Sequence, residues 1–264
     1  MKKSILGLVA IGALIAGPAM AADLRMPVKA PPAPIVPVFS WTGLYLGING
    51  GGGWGHENWI DNSEIGIPPG TAVTHRPNGA LFGGHIGLRY QFSNNVVIGI
   101  EGMADWADLN DTVNTSSIFF PVENETFKVK ALYSATGQIG YAWNQALLYV
   151  KGGWAGANTT WNVNASTGAG LIPGIGVFTP FTASNSENNN GWTIGVGLDY
   201  ALVNNFVVGI EYDHYDLGYA GFTVPVSNGG LPFTVQNQSR LTIDSVVGRL
   251  SYRFNFGGPV AARY

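Results

Sequence analysis

From Trp41 to Phe256 apolar and polar residues alternate one for one in eight separate runs. Leu44, Leu46 and Ile48 alternate with Tyr45, Gly47 and Asn49, and Phe82, Gly84, Ile86, Leu88, Tyr90 and Phe92 with Gly83, His85, Gly87, Arg89 and Gln91. The third run sets Val96, Ile98, Ile100 and Trp106 against Gly99, Glu101 and Asp105. The fourth sets Val129, Ala131, Tyr133, Ile139 and Tyr141 against Lys128, Lys130, Ser134, Thr136 and Gln138. Leu148, Val150 and Trp154 oppose Tyr149 and Lys151; Trp192, Ile194, Val196, Leu198 and Tyr200 oppose Thr193, Gly195, Gly197 and Asp199. Phe206, Val208, Ile210 and Tyr212 oppose Gly209, Glu211 and Asp213, and Val246, Leu250, Tyr252, Phe254 and Phe256 oppose Arg249, Ser251 and Arg253. A period of two is that of a strand with one apolar face. The uncharged stretch 131–150 carries Gln138, Asn144 and Gln145 on the same alternating background, which argues against a membrane helix.

Alternation does not say whether the apolar face meets a core or lipid, but three other features do. Tight turns at Ser93-Asn94-Asn95, Trp143-Asn144-Gln145 and Val203-Asn204-Asn205 alternate with long connections over residues 56–79, 107–126, 158–190 and 216–239, as in outer-membrane barrels. Aromatics fall into two girdles, Trp54, Trp106, Trp154 and Trp192 near the long connections and Trp41, Phe92, Trp143, Tyr200, Phe206 and Phe256 near the tight turns. Their separation by about ten residues of tilted strand suits a lipid-facing band of ~25 Å. Finally, Gly87-Leu88-Arg89-Tyr90 through Gly99-Ile100-Glu101 recurs as Gly197-Leu198-Asp199-Tyr200 through Gly209-Ile210-Glu211, a repeated hairpin of the kind an up-and-down barrel uses.

The start of the chain fits export. Met1-Lys2-Lys3, an apolar stretch from Ile5 to Ala16 and Ala19-Met20-Ala21 read as a signal peptide over residues 1–21. A Pro-rich periplasmic leader (22–40), an eight-stranded antiparallel transmembrane barrel (41–256) and a short tail (257–264) are expected to follow, with both termini periplasmic. Without residues 1–21, which hold two lysines and no acid, the net charge falls from −3 to −5. Mild acidity without basic clusters argues against nucleic acid, and the absence of Cys excludes a disulfide framework or thiolate metal site. The expected partners are outer-membrane lipid and, during insertion, the barrel-assembly machinery, with no loop ligand identified.

Phe39-Ser40-Trp41-Thr42-Gly43-Leu44-Tyr45 after an Ala/Pro leader, Ile139-Gly140-Tyr141-Ala142, Gly191-Trp192-Thr193-Ile194-Gly195, Glu211-Tyr212, Asp216-Leu217-Gly218 and the ending Tyr252-Arg253-Phe254-Asn255-Phe256-Gly257-Gly258-Pro259-Val260 stand in one chain. Together they resemble the alphaproteobacterial outer-membrane immunogenic protein family, opacity-protein-like "porin family" eight-stranded barrels. The resemblance covers essentially the whole mature chain. It implies outer-membrane residence, an exposed loop face and a structural rather than enzymatic role. Relatives often carry inward basic residues where Thr136, Gln138 and Gly209 stand here, so the resemblance does not by itself imply a shared pattern of internal ion pairs or a shared pore property.

Ten charges are assigned to the barrel interior, Arg89, Lys130, Lys151, Arg249 and Arg253 against Glu101, Asp105, Asp199, Glu211 and Asp213, with Arg89 expected to pair with Glu101 on the next strand. Eight strands leave an interior that side chains can fill, so mixed signs favour a neutralised plug over a channel. His56 and His75 share the first long connection, where a haem- or metal-binding role would sit, yet no His stands at metal-ligand spacing with another. No cofactor is expected. There is no G-x-S-x-G elbow, and Asp213-His214-Tyr215-Asp216 lacks a nearby serine while His214 has outward parity, so no catalytic residue is assigned. Gly50, Gly52 and Gly55 have dinucleotide-loop spacing without the helix it requires. The leading function is a non-enzymatic structural and surface protein of the cell envelope. The alternatives are a small-solute porin, or a surface receptor or adhesin acting through residues 56–79 and 158–190.

Overall fold

The computed structural model describes residues 39–61, 72–115, 122–167, 170–172, 176–178, 181–228 and 231–254; residues 1–21, most of the leader, the C-terminal tail and Phe256 lie outside them. Eight long strands form the barrel: β1 (Gly43–Asp61), β2 (Asn78–Gln91), β3 (Val96–Thr115), β4 (Val122–Trp143), β5 (Ala146–Thr167), β6 (Phe181–Ala201), β7 (Phe206–Asn228) and β8 (Leu231–Phe254). Each pairs antiparallel with its sequence neighbours, and β1 pairs with β8 from Leu44↔Phe254 upward, which closes the ring. A closed sheet has no free edge to aggregate. A short strand, Ala72–His75, continues β2: Glu57↔His75 keeps the register of Trp54↔Asn78. Pro77 interrupts the run because it has no N–H, though its carbonyl still accepts from Gly55 N at 2.7 Å. Gly170–Ile172 and Gly176–Phe178 form a separate two-stranded ribbon.

The three tight turns close on Asn95, Asn144 and Asn205, each with φ between 52° and 67°. Asn tolerates this left-handed conformation better than other non-glycine residues, which explains the recurrence of Asn at each short-turn corner.

The long connections expected from sequence are mostly strand. Residues 107–115, 122–126, 158–167, 181–190, 216–228 and 231–239 are all in the sheet. Where their side chains are described, the outward residues of β3 and β6 are polar, while inward Leu109, Phe127 and Val163 are buried and apolar. On β3 the outward row runs Ile98, Ile100, Gly102, Ala104, Trp106 and then turns to Asp108, Asn110, Thr112 and Asn114. On β6 it runs Tyr200, Leu198, Val196, Ile194, Trp192 and then Asn190, Asn188, Ser186 and Ser184. The apolar part is the ~9–11 residues a tilted strand needs to cross a bilayer. Beyond it the same cylinder continues with a hydrophilic outer surface.

Two predicted positions are corrected by the packing. Trp41 is not a girdle residue: it is 1% exposed, turned into the barrel, with its indole N–H on Asn144 O at 3.2 Å. Tethering of Trp41 N to Gln91 Oε1 (2.8 Å) folds the chain inward before β1 begins, so strand parity does not apply there. Lys130 is exposed on the outside, and Val129 is buried on the inside. Val129 pairs with Thr159 and Ala131 with Asn158, so Lys130 is the unpaired extra residue of a β-bulge. Above the bulge Phe127 and Glu125 face inward and below it Leu132, Ser134, Thr136 and Gln138 do. A one-residue bulge reverses the facing of everything beyond it.

Candidate functional site

The interior is layered. At the short-turn end Trp41, Val97, Ala142, Leu147, Tyr149, Ala201 and Val207 pack into an apolar plug, with Phe39 against it. Above it lies a charged layer, then a second apolar layer built by Leu81, Leu109, Phe127, Val129, Leu132, Tyr215 and Ile243 among others. The mouth beyond that layer is polar and acidic.

In the charged layer Arg249 binds both Glu101 and Glu211, one through each side of its guanidinium fork, with Nη1 also 3.1 Å from Glu101 Oε1. Lys151 Nζ lies 2.7 Å from Glu211 Oε1, 3.2 Å from Asp213 Oδ1 and 3.5 Å from Glu101 Oε1. Tyr45 donates to Glu101 Oε2 at 2.8 Å, and Tyr149 donates to Glu211 Oε2. All seven side chains are buried, where a charge survives only if paired and hydrogen-bonded. Asp105 accepts from Asn49 Nδ2 at 2.6 Å, and His85 bridges Asn49 Oδ1 (3.2 Å) and Ser251 Oγ (2.7 Å).

Arg89 does not pair with Glu101. Its Nη1 reaches across the lumen to Asp199 Oδ2 at 2.7 Å, its Nε and Nη2 hold Gln138 Oε1, and its guanidinium lies over the rings of Tyr45 (4.4 Å) and Tyr149 (4.9 Å). The cause is competition: Glu101 is already held by Arg249, Lys151 and Tyr45. Arg89 and Asp199 are the equivalent residues of the two repeated hairpins, so the repeat brings its own odd pair together. Glu101 and Glu211 are likewise equivalent, as are Tyr45 (opposite Gly87) and Tyr149 (opposite Gly197). Both glycines are required there: a Cβ on Gly87 would collide with the Tyr45 phenol and one on Gly197 with that of Tyr149.

Arg253 faces inward but meets no carboxylate among the described residues. It binds Thr42 O (3.4 Å) and Asn205 Oδ1 (3.3 Å) and stacks 4.3 Å from the Phe39 ring, at the short-turn rim. Trp54, Phe92, Trp106, Trp143, Trp154, Trp192, Tyr200 and Phe206 are all exposed on the outer face.

His56 and His75 do not share a site: His56 is exposed outward on β1, whereas His75 is buried inside. His75 Nδ1 lies 3.7 Å from Asp111 and Nε2 3.5 Å from Glu125. Burial alone would lower the His75 ring, but Glu125, Glu57 and Asp111 outweigh it and hold the pKa above its ordinary value. Sequence reasoning missed this mouth cluster because Glu57, His75, Asp111 and Glu125 fell in regions read as loops. His214 and Asp213 point to opposite faces; outward His214 pairs with Asp244 Oδ1 at 2.8 Å. Among the described residues no group of three or more His, Cys, Asp or Glu is placed to hold a metal ion.

Residues 9–254 match the family model described as outer membrane protein beta-barrel domain. The 31 kDa outer-membrane immunogenic protein of Brucella melitensis biotype 1 is 28% identical over 257 residues, covering 96% of this chain and 100% of that one. An uncharacterized protein of Coxiella burnetii is 30% identical over 198 residues, covering 71% of this chain and 73% of that protein. Among solved structures, the outer membrane protein OprG from Pseudomonas aeruginosa aligns with 81% of this chain and 97% of its own at 14% identity and a TM-score of 0.47. With a closed eight-stranded antiparallel ring, an apolar outer belt bounded by aromatics, and a family match over nearly the whole chain, this protein belongs to the outer membrane protein beta-barrel family.

Proposed function

We propose that this chain is a non-enzymatic structural and surface protein of the outer membrane whose lumen is closed. It is exported by residues 1–21, handled by the barrel-assembly machinery, and inserted with both termini periplasmic and the long-loop end outward. The observation that supports the reading is the layered interior, in which an ionic lattice lies between two apolar layers across the path a solute would take. Eight strands leave little more than side-chain volume in any case. The splitting of Asp213 and His214 onto opposite faces supports the absence of catalysis. Planar-bilayer recording of the refolded protein tests this. The expected result is folded, inserted protein with no steady conductance; a stable ion-selective channel would make it a porin instead.

A second reading, a surface receptor or adhesin, draws on the length of sheet beyond the aromatic belt and on the description of the Brucella relative as immunogenic, which suits an exposed surface. Binding that survives lumen substitutions but not replacement of the outward-facing Asn158, Asn188 and Asn190 would support it.

A further inference from the structure

Inside the barrel mouth, beyond the second apolar layer, the inward-facing charges are unbalanced. Glu57 on β1, Asp111 on β3, Glu125 on β4 and Glu187 on β6 face one another, with His75 as the inward titratable base. The nearby cations turn away: Lys128, Lys130, Arg76 and Arg240 are all exposed on the outside. Where β1, β4, β5, β6 and β8 face one another this region holds a partly open cavity of about 10 Å³, lined on its polar side by Glu57, Thr159, Asn185, Glu187, Asn189 and Ser239 and on its apolar side by Phe127 and Trp161. That is room for a single water or ion.

The lining offers oxygens. The Asn189 amide nitrogen donates to Thr159 Oγ1 (2.9 Å) and that of Asn185 to Glu187 Oε1 (2.9 Å), so both amide nitrogens are engaged. Glu57 is 2% exposed, lines the cavity, and its Oε2 has no hydrogen-bond partner. A buried carboxylate oxygen without a donor is costly and calls for a positive ligand. We propose that this cavity is a binding site for one hard, oxygen-seeking cation of the calcium class, held by the Glu57 and Glu187 carboxylates and by the neutral oxygens of Thr159, Asn185, Asn189 and Ser239. Six to eight oxygens at close range is what such an ion takes. With two carboxylates the affinity belongs to the weak, extracellular range of about 10⁻⁴–10⁻³ M.

The test uses the full mature barrel refolded in detergent, with terbium as probe, since Trp161 also lines the cavity and can sensitise its emission. The expected result is saturable sensitised emission displaced by calcium and weakened at least tenfold by Glu57→Gln. Trp161→Phe should remove the emission while calcium binding by calorimetry persists. Heat-shifted gel migration verifies that each variant is folded, and Glu187→Gln gives a second disabled variant should Glu57→Gln fail to fold. Absence of saturable calcium binding up to 10-fold above the expected range, or binding unchanged in a folded Glu57→Gln or Glu187→Gln barrel, would overturn the proposal. Because conductance is measured independently, its outcome and that of the closed-lumen reading remain distinguishable.

Discussion

Replacing Arg249 by Met should do more damage than replacing either of its acidic partners. The guanidinium is the link between Glu101 and Glu211, and its side chain is 1% exposed. Met preserves the apolar stem but leaves Glu101, Glu211 and Asp213 gathered around the single ammonium of Lys151, at 3.5, 2.7 and 3.2 Å. Breaking a buried pair from one side costs about 3–5 kcal/mol, because the orphaned charge stays desolvated. Glu101→Gln is different. Inward acids in this layer (Glu101, Asp105, Asp199, Glu211, Asp213) outnumber Arg89, Lys151 and Arg249, so removing one negative charge relieves the excess. What remains is a mismatched amide facing Arg249 and Tyr45, costing about 1–3 kcal/mol. Urea unfolding from lipid vesicles, followed by tryptophan emission, measures both. An Arg249→Met barrel within 1 kcal/mol of the parent, or a Glu101→Gln barrel destabilised as much, would refute the lattice as a source of stability.

Along β6, Leu198→Arg should cost about 2–4 kcal/mol in lipid vesicles whereas Asn188→Arg stays within about 0.5 kcal/mol, since only the first lies in the apolar belt; equal costs would misplace the belt. Arg89→Asp and Asp199→Arg should each destabilise, and the double variant should regain much of the loss, a coupling that a double-mutant cycle reads directly. Leu109→Ala, in the second apolar layer, should cost about 2–5 kcal/mol; a smaller value in the same unfolding assay would mean that the layer is not a packed core. Asn95→Ala should cost about 1 kcal/mol through its left-handed backbone while Asn95→Gly is tolerated, as judged by heat-shifted gel migration against temperature.

Much of the barrel was legible because its signals are local. Period-two alternation, Asn at tight turns and Trp at the belt edge each follow from a few consecutive residues, and eight strands with three short corners follow from them. What escaped was non-local. Nothing in the run Val129-Lys130-Ala131 announces a bulge; the reversal of facing appears only when Val129 meets Thr159 and Ala131 meets Asn158. Trp41 precedes the first strand, so its direction is set by Gln91 and Asn144, residues 50 and 103 positions away. Arg89 was matched to the acid on the adjacent strand, but in a filled lumen partners are chosen across the interior, and Glu101 was already taken. Residues 107–126, 158–190 and 216–239 read as loops because their polar residues resemble loop composition, and in the first and last of these stretches bulges also break the period of two.

The strands β3 to β8 hold 20–24 residues each. At ~3.3 Å per residue and a tilt of ~40°, such a strand stands about 55 Å tall, against a lipid-facing band of ~25 Å. The surplus is hydrogen-bonded sheet that continues beyond the lipid-facing band. A partner that approaches the side of this extended sheet meets neighbouring strands side by side, at the fixed spacing of a β-sheet. A short linear peptide copied from one strand would reproduce only a single edge of such a surface, and a binder raised against the folded cylinder should lose its grip once the hydrogen-bonded ring is opened.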